Sequence, residues 1–269
     1  MLGDSFKLFK SNFKTILILS IFLSIIPSLI LSFIGLPMID LENPLSFYST
    51  NQGILYIVLG LVFNLLTALL ATSIISISFS SKKQNYKTSL SLGSKYWISY
   101  ILLTIAIIIA VIILTIPAGI ALYFGIPLAN ALLIILGLVL LLIPIYFMIK
   151  SSLAQIILVG ENKGVFASIK TSLKITNKKF WKLVLYFILI GIILIAISLL
   201  FSLIGAFIST ITGNIEITAD TTTGLQSALM NPAGLFIQQI FALAASLITF
   251  PIFLFFLKNL YSKFKENKK

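Results

Sequence analysis

Ile98 to Phe124 reads ISYILLTIAIIIAVIILTIPAGIALYF. A helix needs about 20 apolar residues to cross the hydrocarbon core of a bilayer, and this run is long enough. In lipid every backbone amide and carbonyl must bond within its own segment, so an apolar run of this length is a helix. The strands of a barrel would be shorter and would alternate apolar with polar residues, which this run does not do.

Outward from it lie five more runs of the same kind: Thr15–Leu36, Ile54 to about Phe79, Leu128 to about Tyr146, Leu183 to about Ser209, and Ala233–Leu257. Together they predict six spans. Composition agrees, since 59% of the 269 residues are hydrophobic and only 10% are charged. Soluble domains run roughly 45–50% apolar and 25% charged, so the excess must face lipid. A cleaved leader would have a 7–15-residue apolar region and a small-residue cleavage site. Thr15–Leu36 is longer, and no Ala-x-Ala site follows it, so it reads as the first span.

Charge sets the topology. All 19 basic residues are lysines, and the net charge is +12. Residues 37–53 hold Asp40 and Glu42 without lysine, and residues 210–232 hold Glu216 and Asp220 without lysine. Lysines fall instead at Lys7–Lys14, Lys82–Lys95, Lys163–Lys182 and Lys258–Lys269. The two sets alternate between spans, so the positive-inside rule places the lysines and both termini in the cytoplasm of a multi-pass cell-membrane protein. This pattern explains the positive charge better than nucleic-acid binding does. Heavy use of Ile, Lys and Asn points to a prokaryotic, low-GC source.

Three segments align without gaps: Ser5–Phe13 (SFKLFKSNF), Ser89–Trp97 (SLSLGSKYW) and Ser172–Phe180 (SLKITNKKF). Each leads into an odd-numbered span, so the chain divides into units of about 1–80, 85–160 and 163–258, with a basic tail over 258–269. Phe6, Phe9 and Phe13 share a helical face, with Lys7, Lys10 and Lys14 one position on. In the third unit Phe166, Ile169, Leu173 and Phe180 form the stripe, beside Lys170, Lys174 and Lys178. An amphipathic helix of this kind lies in the interface, where aromatics anchor and lysines gain about 1 kcal/mol each from anionic lipid. Tyr96, Trp97 and Trp181 fit the same belt. Such segments can be ordinary juxtamembrane anchors. A sharper reading makes them three elbow helices in a pseudo-symmetric collar.

Few side chains could carry chemistry. Cysteine and histidine are absent, which removes thiolate chemistry, the commonest metal ligand and the usual general base. No carboxylate falls within a span, so a proton relay is lacking. Lys150 follows Pro144 in a stretch, Leu128–Val159, that is too long for one simple crossing. Either the helix extends into the cytoplasm, or Pro144 kinks it and a tilted end follows. Lys150 is then a functional intramembrane charge or a lysine that snorkels to the cytoplasmic interface. Asn64 lies mid-span among Gly60, Thr67, Ala68 and Ala71, a stripe that suits helix packing and could instead line a solute path. Gln238 and Gln239 are similar.

Glu161-Asn-Lys-Gly164, Ala167, Ser172-Leu173 and Lys179-Phe180-Trp181 resemble the prokaryotic six-span family called the glycerophosphoryl diester phosphodiesterase membrane domain. In that family a basic residue near the end of the fourth span precedes a Glu-x-x-Gly turn and an amphipathic helix ending in an aromatic pair. Lys150, Glu161, Gly164, Ala167, Ser172, Phe180 and Trp181 occupy those places. The resemblance implies the six-span fold. It does not imply the activity, which belongs to a fused soluble barrel of about 250 residues with metal-binding side chains. Local roles are also available: Glu161 would complement the N-terminal dipole of the helix beginning near Gly164, and Gly164 would permit the turn.

The expectation is therefore an all-α polytopic membrane helical bundle: a single domain over 1–269, with six transmembrane helices in three amphipathic-helix-plus-hairpin units. The expected function is a non-catalytic, cofactor-free and metal-free module that engages lipid, including anionic headgroups, or a partner protein through a basic cytoplasmic face. The alternative is a transporter or channel for a small or lipid-like solute.

Overall fold

Long apolar runs leave the backbone no partner but itself, and the described residues are helical almost throughout, with no strand among them. The structure is a computed structural model that describes residues 2–34, 51–80, 84–212 and 232–266. Helix α1 (Leu2–Ser20) passes through a π turn (Ile21–Ile25) into α2 (Ile26–Ile34). Next come α3 (Asn51–Phe79) and α4 (Tyr86–Gly125). The fourth run is in three pieces: α5 (Ala131–Leu140), α6 (Leu142–Ser151) and α7 (Ala154–Gly160). Helix α8 (Val165–Thr176) joins α9 (Phe180–Thr212) through a 3₁₀ turn (Asn177–Lys179), and α10 (Pro232–Glu266) follows. Six of these helical runs are long and apolar enough to cross a membrane.

No elbow separates the first two repeated segments from their spans. Ser5–Phe13 lies within α1, and Ser89–Trp97 opens the 40-residue α4. At 1.5 Å per residue α4 is about 60 Å long, roughly twice the hydrocarbon thickness. Only the third segment is set off, by the 3₁₀ turn. The acids Asp40, Glu42, Glu216 and Asp220, and the lysines Lys82, Lys83, Lys268 and Lys269, lie outside the described residues.

The fourth run takes the kinked alternative. Proline has no amide hydrogen and its ring crowds the carbonyl four residues back. Pro144 accordingly follows a break at Leu141, between α5 and α6. A second break at Ser152–Leu153 releases α7, whose Ala154, Ile156, Ile157, Leu158 and Val159 are all buried. This short helix plugs the centre of the bundle, against α3, α4, α8 and α10.

Packing is concentrated around that plug. Ile16 and Leu19, the stretch Leu70–Ile77, Leu183, and Ile252–Phe264 of α10 close on it. Thr72, Ser73, Ser76 and Ser78 lie within the same buried half of α3, and each hydroxyl donates to a carbonyl one turn back. Gly93 of α4 meets α3 so closely that an added Cβ would lie 2.8 Å from the Ser73 Cα. By contrast Ile105, Ile109, Ile112, Ile116 and Ile120 of α4, and Ile192, Ile195, Leu199 and Leu203 of α9, are exposed, as a lipid-facing surface requires.

The lysine-bearing segments meet at one end of the bundle. Asn259 of α10 donates to Ser5 of α1 (3.1 Å). Thr15 donates to the Gln84 carbonyl before α4 (2.8 Å), and Lys179 donates to the Phe264 carbonyl (2.8 Å).

Candidate functional site

Helix α6 ends at Ser151, so its last carbonyls lack intrahelical partners. A hydroxyl of α8 supplies one: Ser172 Oγ donates to the Lys150 carbonyl at 2.6 Å, while Thr176 Oγ1 donates to the Ser172 carbonyl at 2.8 Å and lies 3.3 Å from the Lys150 oxygen. That docking holds α8 against the Lys150 side chain. Lys150 is 8% exposed. Its ammonium donates to Asn177 Oδ1 (2.8 Å) in the 3₁₀ turn and to Tyr146 Oη (3.1 Å) one turn back, and it lies 4.8 Å from the Tyr146 ring centroid. The Tyr146 ring packs on Phe180 (4.6 Å between centroids), which meets Trp181 edge-on at 5.5 Å. The cation is thus held by two neutral oxygens beside a shelf of three rings, and no carboxylate pairs with it among the described residues.

Glu161 forms a second cluster at the α7–α8 turn. Its Oε2 accepts from Lys163 at 2.6 Å. Its Oε1 accepts from Lys265 at 2.6 Å and from the Tyr261 hydroxyl. Burial pushes the carboxyl up, but the bonds from Lys163, Lys265 and Tyr261 outweigh it and hold the group down at about 2. Glu161 therefore clamps the turn to the end of α10. Gly164 also differs from expectation: it caps α8 in an extended conformation (φ −64°), and the left-handed residue of the turn is Asn162 (φ 52°). An asparagine tolerates that conformation, so the turn does not depend on a glycine.

On the amphipathic segments hydroxyl residues take the inner face, and part of the aromatic stripe faces outward, as an interfacial helix requires. In α1 the buried residues are Ser5, Asn12, Thr15, Ile16, Leu19 and Ser20, while Phe6 and Phe13 are exposed. In α8 they are Ser168, Ser172, Ile175 and Thr176, while Phe166 is 81% exposed. Trp181 is 75% exposed. The aligned serines Ser5, Ser89 and Ser172 are each fully buried. Small hydroxyl residues let helices approach closely and can bond carbonyls, so they take the inner face. Lys7, Lys10, Lys14, Lys170, Lys174 and Lys178 are all exposed, beside the outward aromatics.

No family model, curated protein or solved structure matches the chain. The resemblance to the six-span family therefore rests on its own residues.

Asn64 stands apart from both clusters. It is exposed, and its amide donates to the Gly60 carbonyl of its own helix (2.8 Å). The stripe it belongs to turns inward only at Ala68 and Ala71. A cleft of about 390 Å³ is lined by Lys14, Thr15, Ile18, Gln84, Asn85 and Tyr86; neither Asn64 nor Lys150 borders it. Among the described residues no three His, Cys, Asp or Glu side chains gather to hold a metal. Reading the sequence missed Tyr146, Asn177, Tyr261 and Lys265. Tyr146 and Lys150, like Tyr261 and Lys265, are four apart on one helix and so face the same way. That spacing was a usable signal, whereas Asn177 and the long-range pairing with Glu161 had none.

Proposed function

We propose that this chain is a non-catalytic, multi-pass membrane protein that engages anionic lipid through a basic cytoplasmic face, with both termini cytoplasmic. The observation that carries the reading is the outward turn of aromatic rings beside the lysines of α1 and α8. Hydroxyls turn inward on α1 and α8, leaving Phe6, Phe13, Phe166 and Trp181 exposed beside six exposed lysines. Aromatic rings with adjacent lysines suit the headgroup layer, where each lysine gains about 1 kcal/mol from anionic lipid. The three-unit organisation belongs to the same proposal, supported by the buried serine at the matching position of each segment. Kinship with the six-span family, without the activity of the fused barrel, belongs to it too. A solute path draws no support from Asn64, which bonds within its own helix on an exposed face.

The test is electron paramagnetic resonance of spin-labelled lipids around the full chain in liposomes. Phosphatidylglycerol should be motionally restricted several-fold more than phosphatidylcholine at low salt, and the preference should shrink at high salt. Replacing Lys7, Lys10, Lys14, Lys170, Lys174 and Lys178 with glutamine should bring the two lipids close to parity. Parity in the unmodified protein, or an unchanged preference in the variant, would overturn the reading.

A further inference from the structure

We infer that Lys150, Asn177 and Tyr146 form a discrete site for one phosphate-bearing anion, the headgroup phosphate of a lipid. The inference rests on the proposed lipid-facing role and adds a single stoichiometric site to it. A buried cation is stabilised by an anion, and one left with neutral acceptors retains most of its desolvation cost. Lys150 is 8% exposed, and its two side-chain acceptors, Asn177 Oδ1 and Tyr146 Oη, are neutral. An ammonium has three donors, so one N–H remains beyond those two bonds. The nearest acid along the chain, Glu161, is already engaged by Lys163, Lys265 and Tyr261. A counter-charge for Lys150 must therefore come from outside this set of residues.

The surroundings suit a phosphate arriving from the bilayer. Asn177 and Tyr146, the two residues that hold the ammonium, are both exposed. The Asn177 amide nitrogen can add a donor. Lys178 follows in the same 3₁₀ turn and is exposed. The Tyr146, Phe180 and Trp181 rings give acyl and glycerol carbons a surface, and Trp181 is 75% exposed. Lysine binds phosphate as a point charge and does not require a bidentate fork. A free phosphate ion would satisfy the charge but would leave the rings unused, so a lipid is the better occupant.

Native mass spectrometry of the full chain, titrated in neutral detergent with phosphatidylglycerol, phosphatidylcholine or inorganic phosphate, tests the site. One phosphatidylglycerol should bind more tightly than the rest and survive salt that strips the others. Lys150→Met should weaken that first lipid at least tenfold, the loss of one charge-assisted bond. Because removing Lys150 could disturb folding, Asn177→Asp is the second variant. It supplies a carboxylate to Lys150 within the chain, so it should keep the fold, raise the melting temperature without lipid, and also expel the first lipid. A surface variant lacking Lys7, Lys10, Lys14, Lys170 and Lys174, with Lys178 retained, should lose the weaker lipids and keep the first. A first lipid that persists in a folded Asn177→Asp protein overturns the site but leaves the proposed function standing. Loss of lipid preference only in the surface variant likewise overturns the site alone. No preference in any form of the protein overturns both. Inorganic phosphate displacing the lipid at equal concentration would overturn the lipid assignment.

Discussion

Acidification should release the α7–α8 turn from the end of α10, and Glu161→Gln should do so at any pH. The Glu161 carboxyl ordinarily titrates near 4.5 and is held at about 2 in the fold. The folded state therefore binds fewer protons than the unfolded state between those values. The stabilisation is fully present above pH 4.5 and is lost as pH falls toward 2. A drop of that size is worth at most about 3 kcal/mol. Lys163 and Lys265 are 38% and 59% exposed, so screening reduces it to about 1–1.5 kcal/mol. At roughly 2–4 °C per kcal/mol for a chain of this size, the expected change in melting temperature is about 2–6 °C. The assay is thermal unfolding in mild detergent, followed by size-exclusion elution, for the unmodified protein and Glu161→Gln from pH 7 down to pH 2. The two curves should differ at pH 7 and converge as the pH falls. Equal melting temperatures at pH 7, or a gap that stays constant through the acid range, would refute the reasoning.

Gly93→Ala places a methyl 2.8 Å from the Ser73 Cα and nitrogen. Overpacking costs about 1–3 kcal/mol, and better helix propensity returns about 1, so the melting temperature should fall, and Ser73→Ala should not restore it because the clash is with backbone. Ser172→Ala should cost about 1 kcal/mol, because the Lys150 carbonyl loses its hydroxyl donor; a denaturant titration that finds no loss would contradict that role. Asn64→Leu should change stability by less than about 0.5 kcal/mol, as an exposed, self-bonded side chain implies. A loss of several kcal/mol there would mean that Asn64 makes a polar contact with another helix.

Hydrophobic run length located the helices well, because in lipid a backbone has few alternatives. The ends of the helices were less legible. Run length drew Leu128–Val159 as one excessive stretch, although Pro144 marked the place of the first break. The burial of α7 was hidden, since Ile156, Ile157 and Leu158 look alike whether they face lipid or protein. The inner face of the amphipathic segments was less legible than their aromatic stripe. In water the aromatic stripe of α1 would turn inward. Beside a bilayer the outside is also apolar, so Ser5 and Asn12 take the inner face and Phe6 and Phe13 the outer. Lys150, Glu161 and Ser172 stood out as residues, but their partners did not: Glu161 meets Lys265 across 104 residues of sequence, and nothing local specifies that.

The central position of α7 also bears on the order in which the protein can be completed. Its seven residues lie against α3, α4, α8 and α10, and α10 is the last of these to be synthesised. Until α10 arrives, the Leu153–Val159 stretch has one side unprotected. The bond from Asn259 to Ser5, 254 residues apart, likewise forms only once α10 is made. A ribosome stalled before α10 would therefore leave a chain whose earlier helices are made but whose core is open on one side.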